Sequence, residues 1–230
     1  MKHLIAIAIL ALITSGALAQ KNNKDWGGIS RYASANIELS NSKNNGKRVV
    51  LMGNSITYNW VEYRPEFFKS TGYIGRGIPG QTSYQFLVRF RDDGINRKPN
   101  VVVINAGTND IAENTGPYNE QRTMGNIISM VELAKANKIN VILTSVIPAT
   151  KFKWSDATDI ANKVVSLNKL IAEYAQKNKI PYVDYYSHLV EGDERALKHQ
   201  YSSDGVHPNA QCYKEVMEPL LKEAVRKYVK

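Results

Sequence analysis

The chain has 230 residues, 43% of them hydrophobic and 22% charged, with a formal net charge of +9. That length gives one domain a sizeable core and leaves little room for a second. The lysines and arginines are spread along the whole chain with no basic stripe interleaved with aromatics, so nucleic acid is not expected as a partner. Cys212 is the only cysteine, which excludes an internal disulfide. Without a Cys/His cluster at zinc spacing or an acidic calcium loop, no metal or cofactor is expected.

At the N-terminus, Lys2 and His3 precede an apolar run over residues 4–13 and then Ala17-Leu18-Ala19. This is the layout of a secretory signal peptide, expected to occupy residues 1–19 and to be removed before Gln20. The apolar run is too short to span a bilayer comfortably. No cysteine stands near the cleavage point, which argues against a lipid anchor. The protein is therefore expected to be exported to the periplasm or beyond, without a stable membrane anchor. Residues 20–230 are expected to form one domain. Its first part, residues 20–47, is polar, but Trp26, Ile29, Tyr32, Ala33 and Ile37 suggest one helix packing on the rest, and residues 40–47 read as a loop.

From residue 48 onward, strand and helix signals alternate. Arg48-Val49-Val50-Leu51-Met52 is a β-rich run ending at Gly53, and Tyr73-Ile74 is a short strand before a glycine-rich turn. The run 101–104 is continuously apolar, as a strand buried on both faces is, Val141-Ile142-Leu143-Thr144-Ser145-Val146 repeats that mark, and Tyr182-Val183-Asp184 is a shorter version. Helical spacing links Met124, Ile127, Ile128, Val131 and Ala134, then Ile160, Val164, Leu167, Ile171 and Tyr174. The last helical pattern runs from Tyr213 to Val225 and takes in Cys212 as a buried small hydrophobe. Such alternation predicts parallel strands with helices on both faces, and working residues beyond the strands' carboxyl ends.

Four stretches stand where that rule puts chemistry. Gly53-Asn54-Ser55-Ile56-Thr57 sets a serine just past the first strand, near a helix start whose free N–H groups favour negative charge. A helix-capping serine is the plainer reading of that stretch alone. Gly75-Arg76-Gly77-Ile78-Pro79-Gly80 matches the dinucleotide glycine pattern, but no acidic residue follows at ribose distance and Pro79 removes an N–H, so nicotinamide binding is not expected. Its backbone could still approach an oxyanion closely. Gly107-Thr108-Asn109-Asp110 offers Asn109 as a neutral amide donor after the third strand. Finally, Asp204-Gly205-Val206-His207-Pro208 places an acid three residues before an imidazole, close enough to orient it. His188 and His199 have no acid so placed.

Together these four stretches resemble the blocks of the SGNH hydrolases, also known as GDSL lipases/esterases, whose letters are Ser, Gly, Asn and His. The resemblance covers nearly the whole chain after residue 19. It departs at Asn54, where the family usually carries Asp, and at Gly75, where many relatives carry Asn. The resemblance implies a three-layer α/β/α sandwich around a five-stranded parallel sheet, and an esterase that works through an acyl-enzyme without cofactor. It implies Ser55 as nucleophile, His207 as base and Asp204 as its orienting acid, with an oxyanion hole from the N–H groups of Ser55 and Gly77 and the amide of Asn109. Relatives often deacetylate glycans, which points to an ester substrate in the form of an acetylated carbohydrate. Tyr58, Trp60, Tyr84, Trp154 and Tyr201 could stack on sugar rings or simply pack. A lysophospholipase or thioesterase, with a longer acyl channel, remains open, as does a catalytically silent glycan-binding domain. Acyl length and oligomeric state are not legible.

Overall fold

The computed structural model describes residues 25–229 apart from 43 and 45, so the expected signal peptide lies outside the described residues. A 3-10 turn (Ile29–Tyr32) leads into α1 (Ala33–Asn41), followed by β1 (Val49–Gly53), α2 (Ser55–Tyr63), α3 (Pro65–Thr71) and β2 (Ile74–Gly77). Next come α4 (Ser83–Asp93), β3 (Val101–Ile104), the single turn α5 (Thr108–Ile111), α6 (Glu120–Ala136), β4 (Asn140–Thr144) and α7 (Ile160–Lys177). The chain continues through β5 (Tyr182–Val183), α8 (Tyr185–Leu189) and the small antiparallel pair β6 (Val190–Glu191) and β7 (Ala196–Leu197). It finishes in α9 (Ala210–Cys212), a π-helical stretch (Tyr213–Met217) and α10 (Glu218–Val225).

The five main strands form one parallel sheet in the order β2-β1-β3-β4-β5. Alternate residues along each strand feed two separate cores, because successive side chains point to opposite faces. Val50, Met52, Val102, Ile104 and Leu143 pack under α4, α6 and α7, against residues such as Phe86, Ile127 and Leu167. Val49, Leu51, Val101, Val103 and Ile142 face the other way, toward Trp60 of α2, Phe67 of α3 and Tyr213, Leu221 and Val225 of the last helix. The result is a three-layer α/β/α sandwich around a five-stranded parallel sheet. At about 1.5–3 kcal/mol for each large apolar side chain buried, these two layers dominate the stability. Cys212 is fully buried, and burial pushes its thiol pKa up to about 12, with Glu215 adding to the shift.

Two elements differ from expectation. The second strand does not stop at Ile74 but runs on through Gly75, Arg76 and Gly77. A Cβ at Gly75 would lie 2.3 Å from Val61 Cγ2, and one at Gly77 would lie 2.3 Å from the Tyr58 backbone nitrogen. These glycines therefore serve close packing of α2 on the strand, where a turn was read. The N-terminal segment also docks differently. Trp26, Ile29 and Ile37 are exposed, Ile37 at 67%, while the buried residue of α1 is Asn36. Asn36 binds the Asp93 carboxylate through its Nδ2 (2.6 Å) and accepts from Arg76, and Tyr32 donates to the Gly77 carbonyl. Polar contacts to β2 and α4 hold this helix because the neighbouring surface already contains buried arginines and an aspartate.

Candidate active site

In the strand order, the chain leaves β1 for β2 and then returns to β3 on β1's other side. The crevice at such a switch point, beyond the strands' carboxyl ends, is where open α/β sheets bind ligands. Ser55 follows β1 and Asn109 follows β3, so they flank it. Ser55 is the first residue of α2 and is not its cap. Asn54 caps the helix instead, its side chain accepting from Ile56 N–H at 2.9 Å. The Ser55 hydroxyl is thus free for other partners, and its N–H, in the first helical turn, has no intrahelical acceptor. Gly53 makes the tight exit possible, since a Cβ there would lie 2.0 Å from Thr57 Oγ1.

Residues 55 and 207 are separated by 152 positions in sequence, yet Ser55 Oγ lies 2.9 Å from His207 Nε2. His207 Nδ1 lies 2.7 Å from Asp204 Oδ2. The other oxygen of Asp204 accepts from the N–H groups of Val206 (2.9 Å) and His207 (2.8 Å) and from Ser202 Oγ (3.1 Å). Burial by itself would raise this carboxyl's pKa, but the hydrogen bonds from the His207 backbone and ring and from Val206 N–H outweigh it. The net effect holds the group well below the usual carboxylate range. An ionised carboxylate can only accept, so His207 Nδ1 must carry the proton and Nε2 is left as acceptor for the serine O–H. The loop is held by Gly205 at φ 78 and by Val206, which is buried in one of the two cores. His188 and His199 are exposed and stand apart from this group.

Asn109 is buried, and its Nδ2 donates to the Gln81 carbonyl at 2.9 Å, which leaves one amide hydrogen uncommitted. Its neighbour Asp110 accepts from Ser83 N–H (3.0 Å) and Thr123 Oγ1 (3.3 Å), tying this strand exit to the start of α4. Gly107, at φ 124, permits the sharp exit from β3.

Gly77 does not face the site. Ile78 N–H bonds back to the Gly53 carbonyl on β1 (3.2 Å), and backbone groups alternate sides along a strand. The Gly77 N–H and carbonyl must then point to the sheet's outer edge, where Tyr32 reaches the carbonyl. The glycine turn itself lies three residues on. Gln81 N–H bonds to the Ile78 carbonyl (3.3 Å) around Pro79 and Gly80, with Gly80 at φ 77, a type II turn. Among the described residues, no acceptor takes the Gly80 N–H, and its carbonyl accepts from Asn114 Nδ2 at 2.9 Å.

One side chain that the sequence did not single out joins these pieces. Arg89, fully buried and paired with buried Asp93 at 2.9 Å, donates to the Gly53 carbonyl (3.0 Å) and to Gln81 Oε1 (2.6 Å). A single guanidinium therefore links the strand end before Ser55 to the turn beside Asn109. Its signal was a charged pair at i, i+4 inside the apolar stripe of Phe86 and Phe90. Of the five aromatics considered for stacking, Trp60 and Tyr201 are buried, Tyr58 and Tyr84 are half-buried, and only Trp154 is exposed. A cavity of about 580 Å³ lies between α1 and α2, lined by Arg31, Tyr58 and Tyr73 among others, but none of Ser55, Asp204 and His207 borders it. Among the described residues, no group of three or more His, Cys, Asp or Glu could hold a metal ion, and no helix is long and apolar enough to cross a membrane.

The model of the GDSL-like Lipase/Acylhydrolase family matches residues 51–215, well over half the chain, and takes in all four stretches. The chain belongs to this family, the SGNH hydrolases. A solved structure of a candidate acylhydrolase from Bacteroides fragilis NCTC 9343 is 59% identical, covers 90% of this chain and 99% of its own, and superposes with a TM-score of 0.87. An acetylxylan esterase from Geobacillus stearothermophilus, a catalytic mutant, shares the fold at 17% identity, with 82% of this chain and 98% of that one covered and a TM-score of 0.61. An uncharacterized lipoprotein of Bacillus subtilis (strain 168) is 27% identical over 138 residues, 52% of this chain; the chain spans only 57% of that relative's length.

Proposed function

We propose that this family member is a serine esterase that hydrolyses carboxylic esters through an acyl-enzyme, with O-acetyl groups on carbohydrate as its substrate. The reading rests above all on the unbroken contact chain from Ser55 Oγ through His207 to Asp204, at 2.9 and 2.7 Å. In it, His207 Nε2 takes the Ser55 proton as Oγ forms a bond to the ester carbonyl carbon. Asp204 stabilises the resulting imidazolium. The alcohol leaves with the proton from His207, and water, activated by the same imidazole, then releases the acid and frees Ser55. The oxyanion is met by the first-turn N–H of Ser55 and the free amide hydrogen of Asn109. The unclaimed N–H of Gly80 takes the place first expected of Gly77. Neutral donors held rigidly in this way stabilise the charge as it forms.

The acetyl-glycan assignment is supported by the fold shared with the acetylxylan esterase and by the exposed Trp154 ring, 6.0 Å from that of His207. Export, through the segment 1–19, suits an enzyme acting on polymer outside the cytoplasm. Turnover of p-nitrophenyl acetate by point variants tests the chemistry. Ser55→Ala abolishes it, His207→Ala follows closely, and Asn109→Ala loses about 10²- to 10³-fold. An undiminished Ser55→Ala rate removes the mechanism. A silent binding domain would leave Ser55 unlabelled by a fluorophosphonate probe, and a preference for octanoyl over acetyl esters would favour a long-chain acylhydrolase.

A further inference from the structure

Trp154 is 47% exposed, and its ring centroid lies 6.0 Å from that of His207, with the planes 32° apart. It is not a loose side chain. Its Nε1–H donates to Asn114 Oδ1 at 3.0 Å, and the same Asn114 amide donates from Nδ2 to the Gly80 carbonyl. Both ends of the amide are thus assigned, and one side chain fixes the indole relative to the turn that borders the site. Phe152, buried, packs against it with ring centroids 5.2 Å apart and planes tilted by 40°. A flat apolar face is therefore held at the rim beside the imidazole, with its polar edge already satisfied.

We infer that Trp154 is the platform for the alcohol half of the ester, and that this half is a sugar ring lying with its C–H face on the indole. The inference rests on the esterase reading and adds to it the side on which each half of the substrate lies. His207 hands its proton to the departing alcohol oxygen, so the group nearest the imidazole is the alcohol. The carbonyl oxygen points to the donors of Ser55, Asn109 and Gly80, and the acyl substituent lies away from the imidazole. An open, rigid plane fits the flat apolar face of a pyranose. It cannot enclose a flexible acyl chain, which needs walls on several sides to be removed from water.

The test compares wild type, Trp154→Phe and Trp154→Ala on acetylated xylo-oligosaccharides, acetylated hexose oligosaccharides and ethyl acetate, with melting temperatures as a check on folding. Ethyl acetate reports the chemistry without a ring to stack. In Trp154→Ala, the ratio of kcat/KM on the best sugar ester to that on ethyl acetate falls about tenfold or more, mainly through KM. Trp154→Phe, which keeps a smaller aromatic face, recovers much of the ratio. A ratio within twofold of wild type in Trp154→Ala overturns the platform while leaving the esterase reading intact. So does a wild-type enzyme that turns over ethyl acetate but none of the sugar esters. Failure of wild type on every ester, ethyl acetate included, brings down the esterase reading itself.

Discussion

Asp204→Asn separates the electronic role of Asp204 from its structural one. Three donors converge on Oδ1 of Asp204, from Val206 N–H, His207 N–H and Ser202 Oγ, and an amide oxygen can keep all three. Only the contact of Oδ2 with His207 Nδ1, at 2.7 Å, changes character. There the variant presents an N–H₂ donor, so Nδ1 must become the acceptor and the ring proton moves to Nε2. That nitrogen then faces Ser55 Oγ with a hydrogen of its own and cannot take the serine proton. The expected loss in kcat on p-nitrophenyl acetate is about 10⁴-fold, or about 5 kcal/mol of barrier. The folding cost is that of one partly exposed charge-assisted hydrogen bond, about 1.5 kcal/mol or less. Activity should collapse while the melting temperature falls by only a few degrees. If the variant keeps more than a tenth of wild-type turnover at neutral pH with an intact fold, His207 is not acting through Asp204 and the tautomer argument fails.

The same carboxyl predicts a pH signature. Its pKa is lower in the folded protein than in the unfolded chain, so its stabilisation is complete above the ordinary carboxylate value of about 4 and is lost as pH falls below it. The melting-temperature gap between wild type and Asp204→Asn should therefore narrow as pH is lowered from about 5 to about 2; a gap that widens contradicts the assignment. Arg89→Met removes the ion-pair partner of fully buried Asp93, leaving it the Asn36 amide, and should cost about 3–5 kcal/mol in denaturant titration, part of it recovered by adding Asp93→Leu. A loss under about 1 kcal/mol would show that the pair carries little of the site's framework.

Much of the architecture was legible because its physics is local. The runs at 49–53, 101–104 and 141–143 are apolar since their strands are covered on both faces, and the stripes of α6 and α7 follow the helical period. Ser55, Asp204 and His207, which the folded chain brings into contact, could be singled out because each stands in a short segment with its own turn chemistry, and Asp204 stands three residues from His207. The hairpin of β6 and β7 escaped notice because two-residue strands carry no usable period.

Glycine shows where local reading ends. Residues 75–80 contain three glycines, and sequence alone gives the same weight to each. In the folded chain, Gly75 and Gly77 are small so that α2 can press against β2, whereas Gly80 is glycine because its turn needs a positive φ. Which way the Gly77 N–H points depends on β2's register with β1, a long-range fact. The same holds for Arg89, whose acceptors come from two other segments and its own helix, and for Trp154, which only tertiary packing separates from Trp60. The residue types and their order determined the fold and the groups proposed to react. Side-chain direction, and so the turn proposed for the oxyanion and the aromatic proposed to meet the substrate, was decided by which backbones pack closely enough to leave no other choice.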